Sequence, residues 1–229
     1  MTARTIKISV LMLLVLFASA CSINKLQHSK AKPLENQRSG KITVDRKATG
    51  LSGDKVGWGR FSLLAIPVVP VGIHGDESLH IMGSVRAALE AAGYNVDKTS
   101  AYSVLNAAHL RVHVTKLRFS NYTPFLPIPI PLVPTWGIAK VELRLEDRDG
   151  AAIWQQEVIG RSSNLKFWDG YNAAARGVMN NLVKNMAKAF ASDEFYRASL
   201  RIKKYSDLKS ETVEEKLDQP QKTEEPAVP

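Results

Sequence analysis

The sequence predicts an α+β domain, a small mixed sheet of four to five strands with two helices packed on one face. Two stretches carry apolar residues at helical spacing: Leu79, Met82, Val85, Leu89 and Ala92 in one, and Ala174, Val178, Leu182, Val183, Met186 and Phe190 in the other. Two others alternate with strand period, Leu110, Val112 and Val114 in the first and Ala139, Val141, Leu143 and Leu145 in the second. Asp149-Gly150 follows the second as a tight-turn signal, with a further strand beyond it. Helices laid on one face of a sheet bury both apolar stripes at once.

The elements follow in chain order. Residues 1–20 read as an export signal: Arg4 and Lys7 give a positive start, and Ile8 to Phe17 is apolar apart from Ser9. That run is ten residues, half the roughly twenty needed to span a bilayer. Residues 21–56 are polar, basic and aperiodic, the composition of a flexible tether. A single α+β domain over residues 57–203 comes next, long enough to hold its own core without a disulfide. Residues 204–229 form a charged tail too poor in apolar side chains to offset the entropy of ordering, with room for a frayed helix from Glu211 to Leu217.

Within the domain, Phe61 to Val69 reads as a buried or edge strand bounded by Pro67 and Pro70. Asp76 and Gly93 are the expected caps of the first helix, and Tyr94 to Val96 a short strand after it. From His109 to Phe119 the apolar parity slips near Thr115, from Val112 and Val114 to Leu117 and Phe119, which calls for a bulge. Ala139 to Leu145 alternates with Lys140, Glu142, Arg144 and Glu146, a strand with one wet face. Ala152 to Ile159 is its hairpin partner, and a helix from about Asp169 to Ala191 closes the domain.

Candidate chemistry is sparse. There is no G-x-S-x-G, H-E-x-x-H or C-x-x-C, and Gly50, Gly53, Gly57 and Gly59 do not make a phosphate loop. His109 and His113 share a strand face but stand about 13 Å apart, too far for one zinc, with Arg111 between them. His74, Asp76, Glu77 and His80 meet at a helix start, where acids already complement the dipole. No catalytic residue, metal or cofactor is therefore nominated, and no enzyme activity is expected.

The segment Tyr122 to Trp136, YTPFLPIPIPLVPTW, is the most distinctive. Five prolines remove its backbone donors, while Phe125, Leu126, Ile128, Ile130, Leu132, Val133 and Trp136 make it apolar. So long a connection between strands points to function, either docking on a partner protein or dipping into a leaflet with Trp136 at the headgroups; a third reading folds it back over the sheet edge as core. The sites nominated here are Tyr122, Phe125, Leu126, Ile128, Ile130, Leu132 and Trp136, as partner or membrane contacts.

Cys21, the chain's one cysteine, follows the small residues Ala18-Ser19-Ala20. Leu16 to Cys21 resembles a bacterial lipobox, with Ala18 where leucine is usual, and this implies cleavage between Ala20 and Cys21 and lipid on the sulfur. The same small residues also satisfy an ordinary export cleavage site, which would leave an unpaired thiol in an oxidising compartment. Ser22 after the cysteine implies, by the sorting rules of Gram-negative bacteria, the outer membrane. The stretches AALEAAGYNV (Ala87 to Val96), EDRDGAAIWQQEVIG (Glu146 to Gly160) and ASDEF (Ala191 to Phe195) resemble periplasmic lipoproteins of the YajG-like and ABC-transport auxiliary type, which supply no catalytic residues.

Formal charge is +9, and removing Arg4 and Lys7 leaves 29 cations against 22 acids, or +7. Behind an export signal the acidic neighbours are headgroups or cell-wall polymer rather than nucleic acid. The expectation is a lipid-anchored, periplasm-facing accessory or scaffold protein with an envelope protein partner; the alternative is a binding module for a small apolar or lipid ligand held between helices and sheet.

Overall fold

Strands β1 (Ser22–Ile23), β2 (Gly40–Val44), β3 (Lys55–Phe61) and β4 (Ile66–Ile73) precede helix α1 (Glu77–Ala91). β5 (Tyr94–Asp97), β6 (Ala108–Thr123), β7 (Thr135–Glu146) and β8 (Ala152–Asn164) follow, and α2 (Gly170–Phe190) comes after them. This is a computed structural model, and it describes residues 22–23, 26, 31–51, 55–61, 66–73, 75–97, 108–123, 134–147, 149–164 and 170–201. The architecture is α+β, with both helices on a mixed sheet.

The long β6 organises that sheet. β7 pairs with it antiparallel along one edge, and β8 pairs antiparallel with β7. Its other edge is shared: β2 runs parallel to its first residues, and β3 parallel to its last. β5 extends the sheet beyond β2, while β4 and then β1 extend it beyond β3. The parity slip near Thr115 is a bulge, with the register shifting between Val114 and Lys116. It turns Leu110, Val112 and Val114, and then Phe119, to the same covered face.

Helix α1 begins at Asp76, whose carboxylate accepts the Leu79 N–H at 3.2 Å. Its buried stripe is Ser78, Ile81, Met82, Val85, Ala88, Leu89 and Ala92. Leu79, read as part of that stripe, lies one position off it and is 59% exposed. Ser78 takes the inward place, its hydroxyl accepting the Ala48 N–H at 2.7 Å. The chain turns after the helix through Gly93 at φ +96°, conformational ground that L side chains rarely occupy.

Helix α2 presses on β7 and β8 where those strands and the helix offer glycine. A Cβ at Gly160 would stand 2.4 Å from the Val178 carbonyl oxygen, and one at Gly137 2.4 Å from the Phe119 ring. Gly177 of the helix faces Ser162 in the same way. Val178, Met179, Leu182 and Met186 fill the contact and are fully buried. Asn181 and Asn185, one turn apart, donate to the carbonyls of Arg161 and Ile159 at 2.7 and 2.8 Å, covering acceptors of the edge strand β8.

Three differences from the sequence reading have clear causes. Residues 31–51, assigned by composition to a free tether, are stitched to the domain. Leu34 and Arg38 donate to the carbonyls at the end of α1, and Thr49 exchanges backbone bonds with Val112 and Val114. Arg38 also pairs with Asp193 and lies over the Tyr196 ring. The domain begins earlier still, since Ile23 and Leu26 are buried. Charged neighbours mask the short apolar alternation of Ile42 and Val44, which is why composition hides it.

The single strand expected over Phe61 to Val69 is split between two antiparallel strands, Phe61 ending β3 opposite Ile66, where β4 begins, and residues 62–65 lie outside the described residues. Among the described residues β1 pairs with β4 at Gly72 and Ile73, past both Pro67 and Pro70, so neither proline faces a described β1 residue. Beyond α2, residues 193–201 add a helical segment started by Ser192, whose hydroxyl accepts the Phe195 N–H at 3.2 Å. Phe195 is fully buried, edge-on to Trp154 at 4.7 Å and to Tyr94 at 5.4 Å. Residues 1–20 and the tail from 204, including Glu211 to Leu217, lie outside the described residues.

The seating of α2 generates the first prediction. Gly160→Ala forces a methyl group against helix backbone, an overpacking that should cost about 1–3 kcal/mol, measured as a lower urea midpoint with an unchanged slope.

Candidate functional site

Because one sheet face carries the helices, alternation sends Lys116, Arg118, Trp136, Ile138, Lys140 and Arg161 to the other face. Register sets them in three rows across β6, β7 and β8. Lys116 stands opposite Lys140, which stands opposite Ile159. Arg118 and Arg161 flank Ile138 on either side. Ser120 and Ser163 flank Trp136, which is 41% exposed. A groove of about 250 Å³ lies here, lined by Lys116, Arg118, Ser120, Trp136 and Ile138.

Electrostatics divide this face in two. At the end near the β7–β8 turn, charges are matched: buried Glu146 accepts from Arg111 at 2.7 Å and from Arg144 at 3.2 Å. Glu142 accepts from Gln155 at 2.7 Å, and Lys140 reaches Glu157 at 3.1 Å. At the groove end, none of the three rows holds an acid. Lys116, Arg118 and Arg161 have no ion-pair partner among the described residues. Lys140, opposite Lys116, is held by Glu157, so the unmatched cations of this end are Lys116, Arg118 and Arg161.

The nominated residues divide accordingly. Trp136 reaches the open face. Tyr122 falls within β6, opposite Arg60 of β3 in register. Phe125, Leu126, Ile128, Ile130 and Leu132 lie outside the described residues, as do Ala20 and Cys21. Sequence reasoning missed Lys116, Arg118 and Arg161. The signal was present, because the Asp149-Gly150 turn fixes a register that sets Arg161 beside Ile138.

The histidines go to separate partners. His109 meets Asp45 at 2.8 Å, and His113 meets the Thr49 hydroxyl at 2.9 Å. Among the described residues no group of histidine, cysteine and carboxylates could hold a metal ion. Burial pushes the Tyr94 phenol up to about 12, so it stays protonated and acts as a packing group. At Gly137, Gly160 and Gly177 the packing of α2 on the sheet is too close to admit even a methyl group.

The fold and this face define an α+β domain with one covered and one open, basic sheet face. No family model matches the chain, and no curated protein matches its sequence. Among solved structures it is similar to a minor lipoprotein from Acinetobacter baumannii, at 13% identity over 61% of this chain and 92% of that one, with a TM-score of 0.36. It is also similar to a Helicobacter pylori protein described as a homolog of neuraminyllactose-binding hemagglutinin, at 11% identity, 78% and 94% coverage and a TM-score of 0.41. A lipoprotein from Neisseria meningitidis matches at 19% identity, 54% and 83% coverage and a TM-score of 0.28. At these TM-scores none of them assigns a family or a function to this chain. Among the described residues, no helix is long and apolar enough to cross a membrane.

The Asp45 contact gives a pH prediction. Its hydrogen bond raises His109 above the ordinary 6.5, outweighing the opposite effect of burial. A raised value means the pair's contribution is full below about pH 6.5 and lost as pH climbs through the folded value. Asp45→Asn should therefore destabilise most in mildly acidic buffer and little at alkaline pH. An NMR titration should show the His109 value falling in the variant.

Proposed function

We propose that the chain is a lipid-anchored lipoprotein of the outer membrane, facing the periplasm, that acts as a non-enzymatic accessory or scaffold in a cell-envelope complex. The observation that carries this is the placement of Cys21, directly after an apolar export signal and two residues before the buried Ile23. A thiol at that junction is where bacterial lipidation needs one. Two or three acyl chains, at about 0.8 kcal/mol per buried CH₂, would hold the domain at the membrane.

The accessory role rests on what the described residues offer: a closed core, matched charge pairs and an open face, with no converging acid, base and nucleophile. On this reading the proline-rich segment from Phe125 to Leu132 makes the protein contact. Its fixed φ angles reduce the ordering entropy of docking.

Two measurements test the reading. Mass spectrometry of the mature protein should find Cys21 as the N-terminal residue carrying acyl mass, and Cys21→Ser should abolish lipid attachment and correct processing. An unmodified Cys21 or a different cleavage point would overturn the anchor. A photo-crosslinking residue at Phe125 or Ile130 should give one discrete protein adduct in intact cells. The same residue at Glu142 should give none, and equal adducts at all three positions would remove the segment's docking role.

A further inference from the structure

We propose that the open sheet face around Lys116, Arg118, Trp136, Ile138 and Arg161 lies flat on the anionic surface of the bilayer that the Cys21 lipid enters. This rests on the lipidated reading of Cys21 given above. Two independent observations lead to it: how little chain separates the lipid from the folded domain, and what the face presents.

A domain on a long tether can turn any side to the membrane, but this one has almost no tether. Ile23 is fully buried and β1 pairs parallel with β4, Ser22 opposite Gly72 and Ile23 opposite Ile73. Two residues of extended chain reach at most about 7 Å, so a lipid on Cys21 emerges beside the β1 edge. The pairings lead back from that edge to the groove. Gly72 is opposite Lys55, and Gly57, two residues on, is opposite Phe119 of β6. Three strand spacings of about 4.8 Å separate β1 from β6, so Ser22 stands about 15 Å from β6 across the sheet, and a lipid on Cys21 attaches one residue before it. The anchor and the basic rows share one end of the sheet, and the matched charges of Glu146, Arg111 and Arg144 occupy the other.

The chemistry of the face fits a headgroup layer. Lys116, Arg118 and Arg161 surround an apolar centre of Ile138 and the half-exposed Trp136, in rows that hold no acid. Cations reach phosphate oxygens, while an indole is most stable at the boundary between headgroups and acyl chains. Each Lys or Arg close to an anionic leaflet biases association about five-fold. A charge-matched protein partner would need a compact acidic patch. A leaflet of phosphatidylglycerol offers anions everywhere, and the lipid anchor already delivers the face to it.

The test uses the full lipidated chain in vesicles of phosphatidylethanolamine and phosphatidylglycerol. An acylated Cys21 has no free thiol, so Ser163→Cys, beside Trp136 in register, takes a nitroxide label specifically; Lys184→Cys on the exposed side of α2 is the control. The label at 163 should collide with a water-soluble nickel quencher several-fold less than the label at 184. Lys116→Glu with Arg118→Glu, or vesicles of phosphatidylcholine alone, should restore the collisions at 163. Equal accessibility at both positions overturns the proposal, as does shielding that ignores the charge reversals. Shielding in native envelopes but not on vesicles would give the face to a protein and also overturn it. Label uptake by the unsubstituted chain would instead expose a free Cys21, which is failure of the lipidated reading itself.

Discussion

Helix α2 lies so close to β7 and β8 that side chains beyond hydrogen are excluded at Gly137 and Gly160, and the rest of the molecule is arranged around that contact. The seating decides which sheet face is covered. Once Val178 and Leu182 sit over the strands, every residue in phase with Ala139 and Val141 must be apolar or small, and every residue out of phase is free to be charged. β6 is too long for one unbroken phase, so the bulge at Thr115 restores Leu117 and Phe119 to the covered side. Its consequence on the other side is to bring Lys116 opposite Lys140 and Arg118 opposite Ile138. The basic face is thus the reverse side of the same packing solution.

The N-terminal segment completes the core that α1 and α2 leave open. Ile42 and Val44 are buried on β2, and Ala48 is fixed to Ser78 through its N–H. The segment crosses from the end of α1 to the middle of β6, contributing bonds to both. At the opposite end of the chain, Phe195 packs with Trp154, Phe190 and Tyr94, and Arg38 reaches across to Asp193. Burying such a ring contributes about 1.5–3 kcal/mol, a sizeable share of a domain's net stability. Two segments outside the central run of strands and helices therefore help hold it together.

Much of this was legible in the sequence wherever one period ran long enough to be read. The stripes of α1 and α2, the wet and dry faces of β7, the slip at Thr115 and the turn at Asp149-Gly150 are all local signals. What was not legible depended on partners distant in sequence. β2 buries two apolar side chains amid Lys41, Asp45, Arg46 and Lys47, so its composition resembles a linker until β5 and β6 are placed beside it. β1 is two residues long and has meaning only against β4. Trp136 stands out in the sequence because an aromatic beside prolines attracts notice. Arg161 does not, because an arginine in a hairpin strand is ordinary until the register sets it across Ile138 from Arg118.

That register also bears on why the face is built as it is. A strand surface meant only to face water alternates signs, as the far end does with Glu142, Arg144 and Glu146, and so offsets its own repulsion. The groove end has Ile138 and Trp136 where further acids would match Lys116, Arg118 and Arg161. Neither the apolar pair nor the unmatched cations improve the folded domain in isolation: the pair exposes surface to water, and the cations repel one another. Both become favourable against something apolar beneath a negatively charged layer. A stability optimum for the free domain would neutralise Lys116 or replace Trp136. A surface shaped by contact would keep both.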